Sequence, residues 1–435
     1  MSLLHTLRPR RLAATPAALQ RAFSTSPILP KYARTPLYDF HTKPEHGGKM
    51  VEFAGWEMPL SYNAPAGANV AGGPVAEHHQ VRKSSGLFDV GHMIQSTYNG
   101  PGALAFLSQL LPASLATLPV PKADGDVLRS TLSVLLNEEG GIIDDCMITR
   151  WGEESFYLVT NAGRAAEDLA WIESHLASWN ASHSAEQVKM EVLRSHGLIA
   201  LQGPSSHTAL QRLLSPSTKI NKLLTFSTSA FLPIPSLGPN APAVHVARGG
   251  YTGEDGFEIS VEGGRTEELA SMLLEQSEVK LAGLAARDSL RLEAGLCLYG
   301  HDLNEGTGVG EAALGWVVGK DRRTPGSFIG SERTLKELKK GGTSRKRVGL
   351  VVEKGPAARE GAKIYSLDAE PQHIGTVTSG LPAPTVGKNI SMGYISTAEG
   401  LWKKGSQVQV DIRGKMKKAE VVGMPWIEPG YFRGE

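Results

Sequence analysis

The alternation of apolar and polar positions predicts a helix followed directly by a strand early in the chain. Pro74 opens the helix, Arg82 lies in its last turn and Gly86 follows it, an arrangement typical of helix boundaries. The apolar run Leu87–Gln95 then predicts a strand. Asp89 interrupts that run, so we expect one carboxylate on a rigid element.

Further apolar runs predict a mixture of strands and helices without a regular strand–helix alternation. That pattern favours an α+β fold over a doubly wound sheet. The predicted strands are Ser130–Leu136, Phe156–Thr160 and Gly197–Leu201, and the predicted helices are Ala165–Ser178 and Ala282–Ala294, the latter ended by Gly295.

The last part of the chain carries short β-rich runs at intervals of roughly ten residues, separated by glycine and proline turns. This spacing predicts a small antiparallel barrel. The runs are Arg347–Val352, Ile374–Ser379, Ile390–Ile395, Gln407–Ile412 and Ala419–Val422. We therefore predict a domain at 36–310 with two lobes, a linker at 311–346, and a barrel domain at 347–431. The Lys-, Arg-, Gly- and Ser-rich stretch Ser331–Arg347 is predicted to be a linker or an exposed helix.

Composition is that of a globular protein, with 41% hydrophobic and 20% charged residues in a chain of 435. No apolar run is long enough to span a membrane, so we expect no membrane partner. The first 38 residues hold six basic side chains and no acid, while the remainder holds 39 basic and 44 acidic residues. An acidic remainder argues against a nucleic-acid partner.

The first 30 residues have the Arg-rich, acid-free character of a mitochondrial transit peptide. The pattern Arg21–Ala22–Phe23–Ser24 favours cleavage near residue 23; the alternative is a disordered basic tail. Two cysteines, Cys146 and Cys297, are too few for a disulfide framework or a cysteine-based metal site. We expect both to be reduced core residues in the mitochondrial matrix.

Common chemical motifs are missing. The segment 306–310 (Gly-Thr-Gly-Val-Gly) lacks the dinucleotide-binding spacing and follows no predicted strand. His78 and His79 are adjacent, so their side chains diverge on a helix, and no other histidine pair shows metal-ligand spacing with acidic partners. We expect no metal.

Three unusual segments remain: 86–93 with its single acid, the glycine-punctuated 250–260, and 282–291. In the second segment Glu258 alternates with apolar residues and faces away from them, and in the third Arg287 and Arg291 share a helix face. A buried carboxylate needs a partner or a task. Each segment alone also fits a structural role, as a capping acid, a strand salt bridge or a helix-surface ion pair.

Together, short motifs in order from about residue 35 to 431 resemble the aminomethyltransferase (T-protein) family of the glycine cleavage system. The resemblance covers essentially the whole chain after the predicted transit peptide. The motifs are Thr35–Tyr38, Phe53–Trp56, Leu87–Val90, Gly140–Asp145, Asn161–Gly163, Leu201–Pro204, Gly250–Gly256, Leu284–Asp288, Gly295–Gly300, Gly375–Gly380 and Met392–Tyr394.

The resemblance implies a three-lobed T-protein fold, with a folate-binding N-terminal region and a C-terminal antiparallel β-barrel. It also implies a reaction in which the one-carbon unit of an aminomethyl group, carried on the lipoyl arm of H-protein, passes to tetrahydrofolate. Methylenetetrahydrofolate, ammonia and dihydrolipoyl H-protein are the products. Folate would supply the nucleophilic nitrogens, so the protein would position the reactants and stabilise a cationic one-carbon unit.

The matching positions give the site residues that the resemblance implies. Asp89 corresponds to the catalytic aspartate of the family. The expected substrate- and folate-binding residues are Glu258, Arg287 and Tyr431, with Tyr251 and Asn161 as weaker candidates. A carboxylate at 258 suits a pterin, because it can accept two parallel hydrogen bonds from the pterin's amino and ring N–H groups.

Two departures from the family pattern affect the pocket. Gly91 stands where serine is frequent, and the glycine-rich loop 63–73 differs from the family's usual rim. Two related classes remain as alternatives: the demethylase arm of a flavoprotein that oxidises dimethylglycine or sarcosine, and a non-catalytic folate-binding protein of iron–sulfur assembly. The first needs a flavin domain and the second a conspicuous cysteine motif, and the chain has neither.

Overall fold

The structure, a computed structural model, describes residues 31–63, 70–123 and 125–434. The predicted transit peptide, 1–30, lies outside the described residues, as does most of the loop 63–73. None of the described helices is long and apolar enough to cross a membrane.

The helices are short, apart from one of 18 residues. They are α1 (Tyr38–Thr42), α2 (Pro74–Lys83), α3 (Ala103–Leu110), α4 (Ala165–Ser182), α5 (Ser206–Leu213), α6 (Ile220–Leu223), α7 (Thr266–Leu274), α8 (Leu284–Glu293) and α9 (Ser331–Glu337). Two of the predicted boundaries have clear causes. Proline opens α2, and Gly295, with φ of 71°, follows the end of α8 in the left-handed conformation that glycine adopts without strain.

The strands of the N-terminal region are β1 (Ala33–Arg34), β2 (Gly48–Phe53), β3 (Trp56–Tyr62), β4 (Ser85–Asp89), β5 (Ile94–Asn99), β6 (Leu128–Leu136), β7 (Ile142–Arg150), β8 (Ser155–Thr160), β9 (Lys189–Val192), β10 (His196–Gln202), β11 (Thr228–Leu232), β12 (Val244–Arg248), β13 (Gly256–Glu262) and β14 (Val279–Leu281). Strands β1, β3 and β2 form a small sheet, and the others form a large one in the order β14-β4-β10-β13-β12-β11-β6-β7-β8-β5-β9.

The large sheet curls so that its two halves face each other. Gln95 of β5 accepts hydrogen bonds from Tyr157 of β8 (2.8 Å) and from Ser260 of β13 (2.5 Å), although β5 and β13 are remote in the strand order. One half is covered by α1, α5 and α7 over one apolar core, and the other by α3 and α4 over a second. These halves are two lobes, which contact each other through Gln95 and Ser260.

The predicted single strand Leu87–Gln95 is wrong, because the chain leaves β4 at Asp89 and starts β5 at Ile94. The Asp89 carboxylate accepts the backbone N–H of Gly91 at 2.8 Å. Such a side-chain bond two residues ahead closes a turn in competition with strand pairing. Asp89 therefore lies where the chain passes from one lobe to the other.

The third lobe is the predicted antiparallel barrel with its own apolar core. Its strands close in the order β15-β18-β17-β16-β19-β20: β15 (Arg345–Val352), β16 (Lys363–Tyr365), β17 (His373–Ala383), β18 (Lys388–Ser396), β19 (Gln407–Ile412) and β20 (Lys415–Val422). The sequence pattern missed β16, whose three residues are too short to show periodicity. The α+β, three-lobed architecture is confirmed, and the residue limits of the domains stay predictions.

Candidate functional site

The carboxylate of Asp89 is held by three neighbours in a nearly closed environment, since its side chain is 1% exposed. Its Oδ2 accepts the hydroxyl of Thr35 at 2.5 Å and faces Nε2 of His41 at 2.9 Å. Its Oδ1 accepts the N–H of Gly91, and Tyr62 in turn contacts the far side of His41 at 2.9 Å. Oδ2 is therefore saturated, whereas Oδ1 keeps one lone pair.

These contacts decide the charge of Asp89. Burial alone would raise the pKa of its carboxyl group, but the hydrogen bonds from His41, Thr35 and Gly91 bring that pKa below its usual value. Asp89 is therefore a carboxylate at neutral pH.

Glu258 lies on the opposite face of the sheet from Asp89. The register pairs Asp89 with Ile199 and pairs Ile199 with Ile259, so the Asp89 side chain shares the face of Ile259. Because successive side chains alternate between faces, Glu258 lies on the other face, opposite Ala200. Because the two acids lie on opposite faces, one binding site can include both only if it extends past the end of β4, where the sheet no longer separates them.

His92, in the turn that follows β4, interacts with both Asp89 and Arg287. Its imidazole is 3% exposed, feels the charges of Asp89 and Arg287, and packs edge-on against Phe53 with ring centroids 5.6 Å apart. Its Nδ1 has no hydrogen-bond partner among the described residues. Burial lowers the pKa of His92 to about 4, so the ring is neutral.

Glu258, Arg287 and Tyr251 form a second group, between the lobes. The Arg287 guanidinium lies 4.7 Å from the centre of the Tyr251 ring and interacts electrostatically with Glu258. Burial raises the pKa of Glu258, and the Arg287 charge opposes that rise. Glu258 is half-buried and makes no hydrogen bond to any described residue, so its oxygens are free for a ligand. The Tyr251 hydroxyl is not free, because it donates to the carbonyl of Cys297.

Tyr431 belongs to a C-terminal segment that folds back over the N-terminal region. Its ring stacks on Phe226 with centroids 4.2 Å apart, and the N–H of Phe226 donates to the carbonyl of Phe432 at 2.7 Å. The N–H of Gly430 donates to the carbonyl of Gly253 at 2.8 Å, so the segment covers the loop that carries Tyr251.

Asn161 is engaged with acids rather than open to a pocket. Its Nδ2 donates to Asp144 Oδ1 at 2.8 Å and to Asp145 Oδ1 at 3.0 Å. Burial and the Asp144 charge raise the pKa of Asp145 to about 7, and the same two causes raise that of Asp168 to about 10. With both amide hydrogens used, the Asn161 carbonyl oxygen is what remains for a ligand.

The sequence reasoning missed Thr35, His41, Tyr62 and His92. Thr35 lies in the motif Thr35–Tyr38 and His92 in the segment 86–93, but nothing in a linear pattern shows that Thr35 or His41 reaches Asp89. Among the described residues, no group of three or more His, Cys, Asp or Glu side chains is arranged to hold a metal ion.

Comparison with known proteins covers nearly the whole described chain. The model of the GCVT N-terminal domain matches residues 37–322, and that of the glycine cleavage T-protein C-terminal barrel domain matches 345–428. A probable mitochondrial aminomethyltransferase of Schizosaccharomyces pombe is 42% identical over 400 residues, covering 92% of this chain and 94% of that protein. The mitochondrial aminomethyltransferase of Homo sapiens is 39% identical over 422 residues, covering 97% and 96%.

A solved structure is also similar. The crystal structure of glycine cleavage system aminomethyltransferase T from Bartonella henselae aligns with a TM-score of 0.78 at 38% sequence identity, covering 92% of this chain and 99% of that one.

Proposed function

Since the chain belongs to the glycine cleavage T-protein family and is a mitochondrial aminomethyltransferase, we propose that it transfers a one-carbon unit from the lipoyl arm of H-protein to tetrahydrofolate. The donor is the aminomethyl group on the lipoyl sulfur. In the balanced reaction its C–S and C–N bonds break, and two new C–N bonds form to the folate nitrogens N5 and N10. The two protons that leave these nitrogens end on ammonia and on the lipoyl thiol.

The observation that carries this proposal is the half-buried Glu258 carboxylate, which has no hydrogen-bond partner among the described residues and lies near the Arg287 guanidinium. Leaving a carboxylate unpaired at such depth costs free energy unless a ligand supplies donors. A pterin supplies two parallel N–H donors, which is what a carboxylate binds best. We assign Glu258 to the pterin, with Arg287 and Tyr251 lining the same pocket.

Asp89 is the proposed catalytic group. An ionised carboxylate near the folate nitrogens stabilises the cationic one-carbon unit that develops as ammonia leaves. The contacts that hold Asp89 ionised support this role, and Oδ1, which accepts one backbone N–H, keeps a lone pair for the reactants. The neutral His92 interacts electrostatically with both Asp89 and Arg287, so it is suited to line a pocket that reaches both groups.

Tyr431 is proposed to close the pocket from the C-terminal segment, and Asn161 to contribute through its carbonyl oxygen. The place of action is the mitochondrial matrix, supported by the mitochondrial names of the relatives and by the acid-free N-terminal segment. N-terminal sequencing of the imported protein tests the role of the N-terminal segment as a transit peptide. A matrix form that retains Arg8 contradicts cleavage near residue 23.

The decisive experiment is a reconstituted assay with purified H-protein that carries the aminomethyl-lipoyl group. We expect ammonia and methylenetetrahydrofolate to form in equal amounts and only with tetrahydrofolate. Two controls isolate the substrates: H-protein without lipoate, and fully oxidised folate, whose N5 has no hydrogen to replace. Ammonia release at the same rate with either control contradicts the proposal.

A further inference from the structure

The environment of Asp89 contains a second layer of side chains. His41 of α1 contacts Asp89 through Nε2 and contacts the Tyr62 hydroxyl of β3 through Nδ1, both at 2.9 Å. All three residues are buried, with whole-residue exposures of 1%, 6% and 0% for His41, Asp89 and Tyr62. They form one continuous chain of hydrogen bonds that starts at the proposed catalytic carboxylate.

Tyr62 is itself fixed in place by Glu77. The backbone N–H of Tyr62 donates to Glu77 Oε1 at 2.7 Å, and the N–H of Gly283 donates to Glu77 Oε2 at 2.8 Å. Glu77 thus joins the end of β3 to the start of α8 and is fully buried. The Tyr62 hydroxyl is therefore held by its backbone and not only by its contact with His41.

This geometry selects one tautomer of His41. In the neutral ring, the Tyr62 hydroxyl donates to Nδ1, and the hydrogen on Nε2 then points at Asp89. In the doubly protonated ring, Nδ1–H would donate to the Tyr62 oxygen, whose own hydrogen would have no acceptor among the described residues. In the other neutral tautomer, the lone pair of Nε2 would face the carboxylate and repel it. The arrangement with hydrogen on Nε2 satisfies every donor and acceptor.

We propose that His41 and Tyr62 are positioning residues for aminomethyl transfer: Tyr62 holds His41 in the tautomer with hydrogen on Nε2, and His41 thereby keeps Asp89 ionised with Oδ1 free for the reactants. This inference rests on the catalytic role proposed for Asp89. It reverses the familiar order in which a carboxylate orients a histidine, because here the histidine orients the carboxylate.

Other titratable groups lie around this chain of hydrogen bonds, and none of them duplicates the role of His41. His92 in the turn after β4 is uncharged, Arg287 of α8 acts on His92, and Glu77 of α2 acts on Tyr62. Thr35 donates to the same oxygen as His41 but cannot change its own protonation. His41 is therefore the neighbour whose tautomer decides whether Asp89 receives a second donor from a side chain.

The test uses isosteric variants and a readout that is independent of activity. With selective nitrogen-15 labelling of histidine, NMR reports the tautomer, and the His41 signals are assigned by their loss in His41→Gln. We expect hydrogen on Nε2 in the wild type and a mixture of tautomers in Tyr62→Phe. Tyr62→Phe should also lower kcat by about 2- to 10-fold, the effect of one net hydrogen bond, while KM for tetrahydrofolate stays within about twofold.

His41→Gln and His41→Leu separate positioning from simple packing. The glutamine amide places a donor near the position of Nε2, so we expect it to retain at least about ten times the kcat of His41→Leu. In the His41→Gln background, Tyr62→Phe should have no further effect on kcat, because the tautomer no longer exists. Should Tyr62→Phe not fold, the order of the two His41 variants decides alone, and equal kcat values overturn the inference.

Tyr98→Phe is the matched control, because Tyr98 is equally buried and hydrogen-bonded to Ser96 at 3.3 Å in the other lobe. If Tyr62→Phe changes stability as Tyr98→Phe does, with kcat and the His41 signals unaltered, the role of Tyr62 is structural and the inference is wrong. Full turnover in Asp89→Asn would instead overturn the catalytic role of Asp89, while the NMR result would still report the tautomer.

Discussion

Replacing Glu258 by glutamine tests the binding pocket with little change of shape. The carboxylate makes no hydrogen bond to any described residue, so the folded protein loses its attraction to Arg287 and little else. We expect the free energy of unfolding to change by no more than about 1 kcal/mol. The effect on the ligand should be larger, because glutamine presents one acceptor and one donor to a pterin edge that offers two donors.

The magnitude follows from that mismatch. One hydrogen bond to a charged group is lost, and two donors face each other, at a cost of about 1 to 3 kcal/mol. The dissociation constant for tetrahydrofolate should therefore rise by about 5- to 150-fold. Anaerobic calorimetric titration measures this constant directly, and steady-state kinetics should show the same rise in KM with a smaller change in kcat.

The control is Glu262→Gln, at the exposed end of the same strand, β13. It makes the same chemical change away from the pocket and should leave the dissociation constant unaltered. An unchanged constant in Glu258→Gln would refute the assignment of this carboxylate to the pterin. Equal weakening in both variants would point to net charge as the cause.

Three further predictions concern other parts of the site. Asp89→Asn must place its amide group against the donors Thr35 and His41 or against the N–H of Gly91, so urea unfolding should show a loss of about 1 to 3 kcal/mol in stability. The same variant should lose at least about 100-fold in kcat and keep its affinity for folate within about tenfold, and near-normal turnover would contradict this. Deleting residues 430–435 should raise KM for tetrahydrofolate more than deleting residues 1–23 does, and unaltered folate kinetics would exclude Tyr431 from the pocket. Burial and Asp144 raise the pKa of Asp168 from 3.8 to about 10, so its contribution to stability is complete below pH 3.8 and is lost as the pH rises towards about 10. Asp168→Asn, always neutral, should therefore show a smaller fall in stability between pH 6 and pH 9, and parallel pH profiles would contradict the raised pKa.

Local sequence patterns located three of the helices, α2, α4 and α8, and most strands of the barrel, but left many of the shorter elements unpredicted. The boundaries of α2 follow from proline at one end and cations at the other, and β19 has the predicted limits because its apolar residues alternate between turns. The prediction of one strand through Asp89 was wrong, because apolar residues continue through a turn. That turn is closed by a side-chain hydrogen bond, which the sequence pattern does not show. Hydrophobic periodicity indicates which residues avoid water, but it does not indicate where the backbone stops pairing with a neighbouring strand.

The sequence by itself determined the α+β class, the barrel, the family and the alternation of Glu258 with apolar neighbours. Tertiary structure alone decided which groups meet. Asp89 is fixed by Thr35 and His41, which are 54 and 48 positions away, and the Asn161 amide is used by two acids of β7. The opposite facing of Asp89 and Glu258 likewise depends on the register of β4, β10 and β13. A strand's period gives each side chain one of two faces, but the packing of remote segments decides what covers each face and therefore which carboxylate is paired and which is left for a ligand.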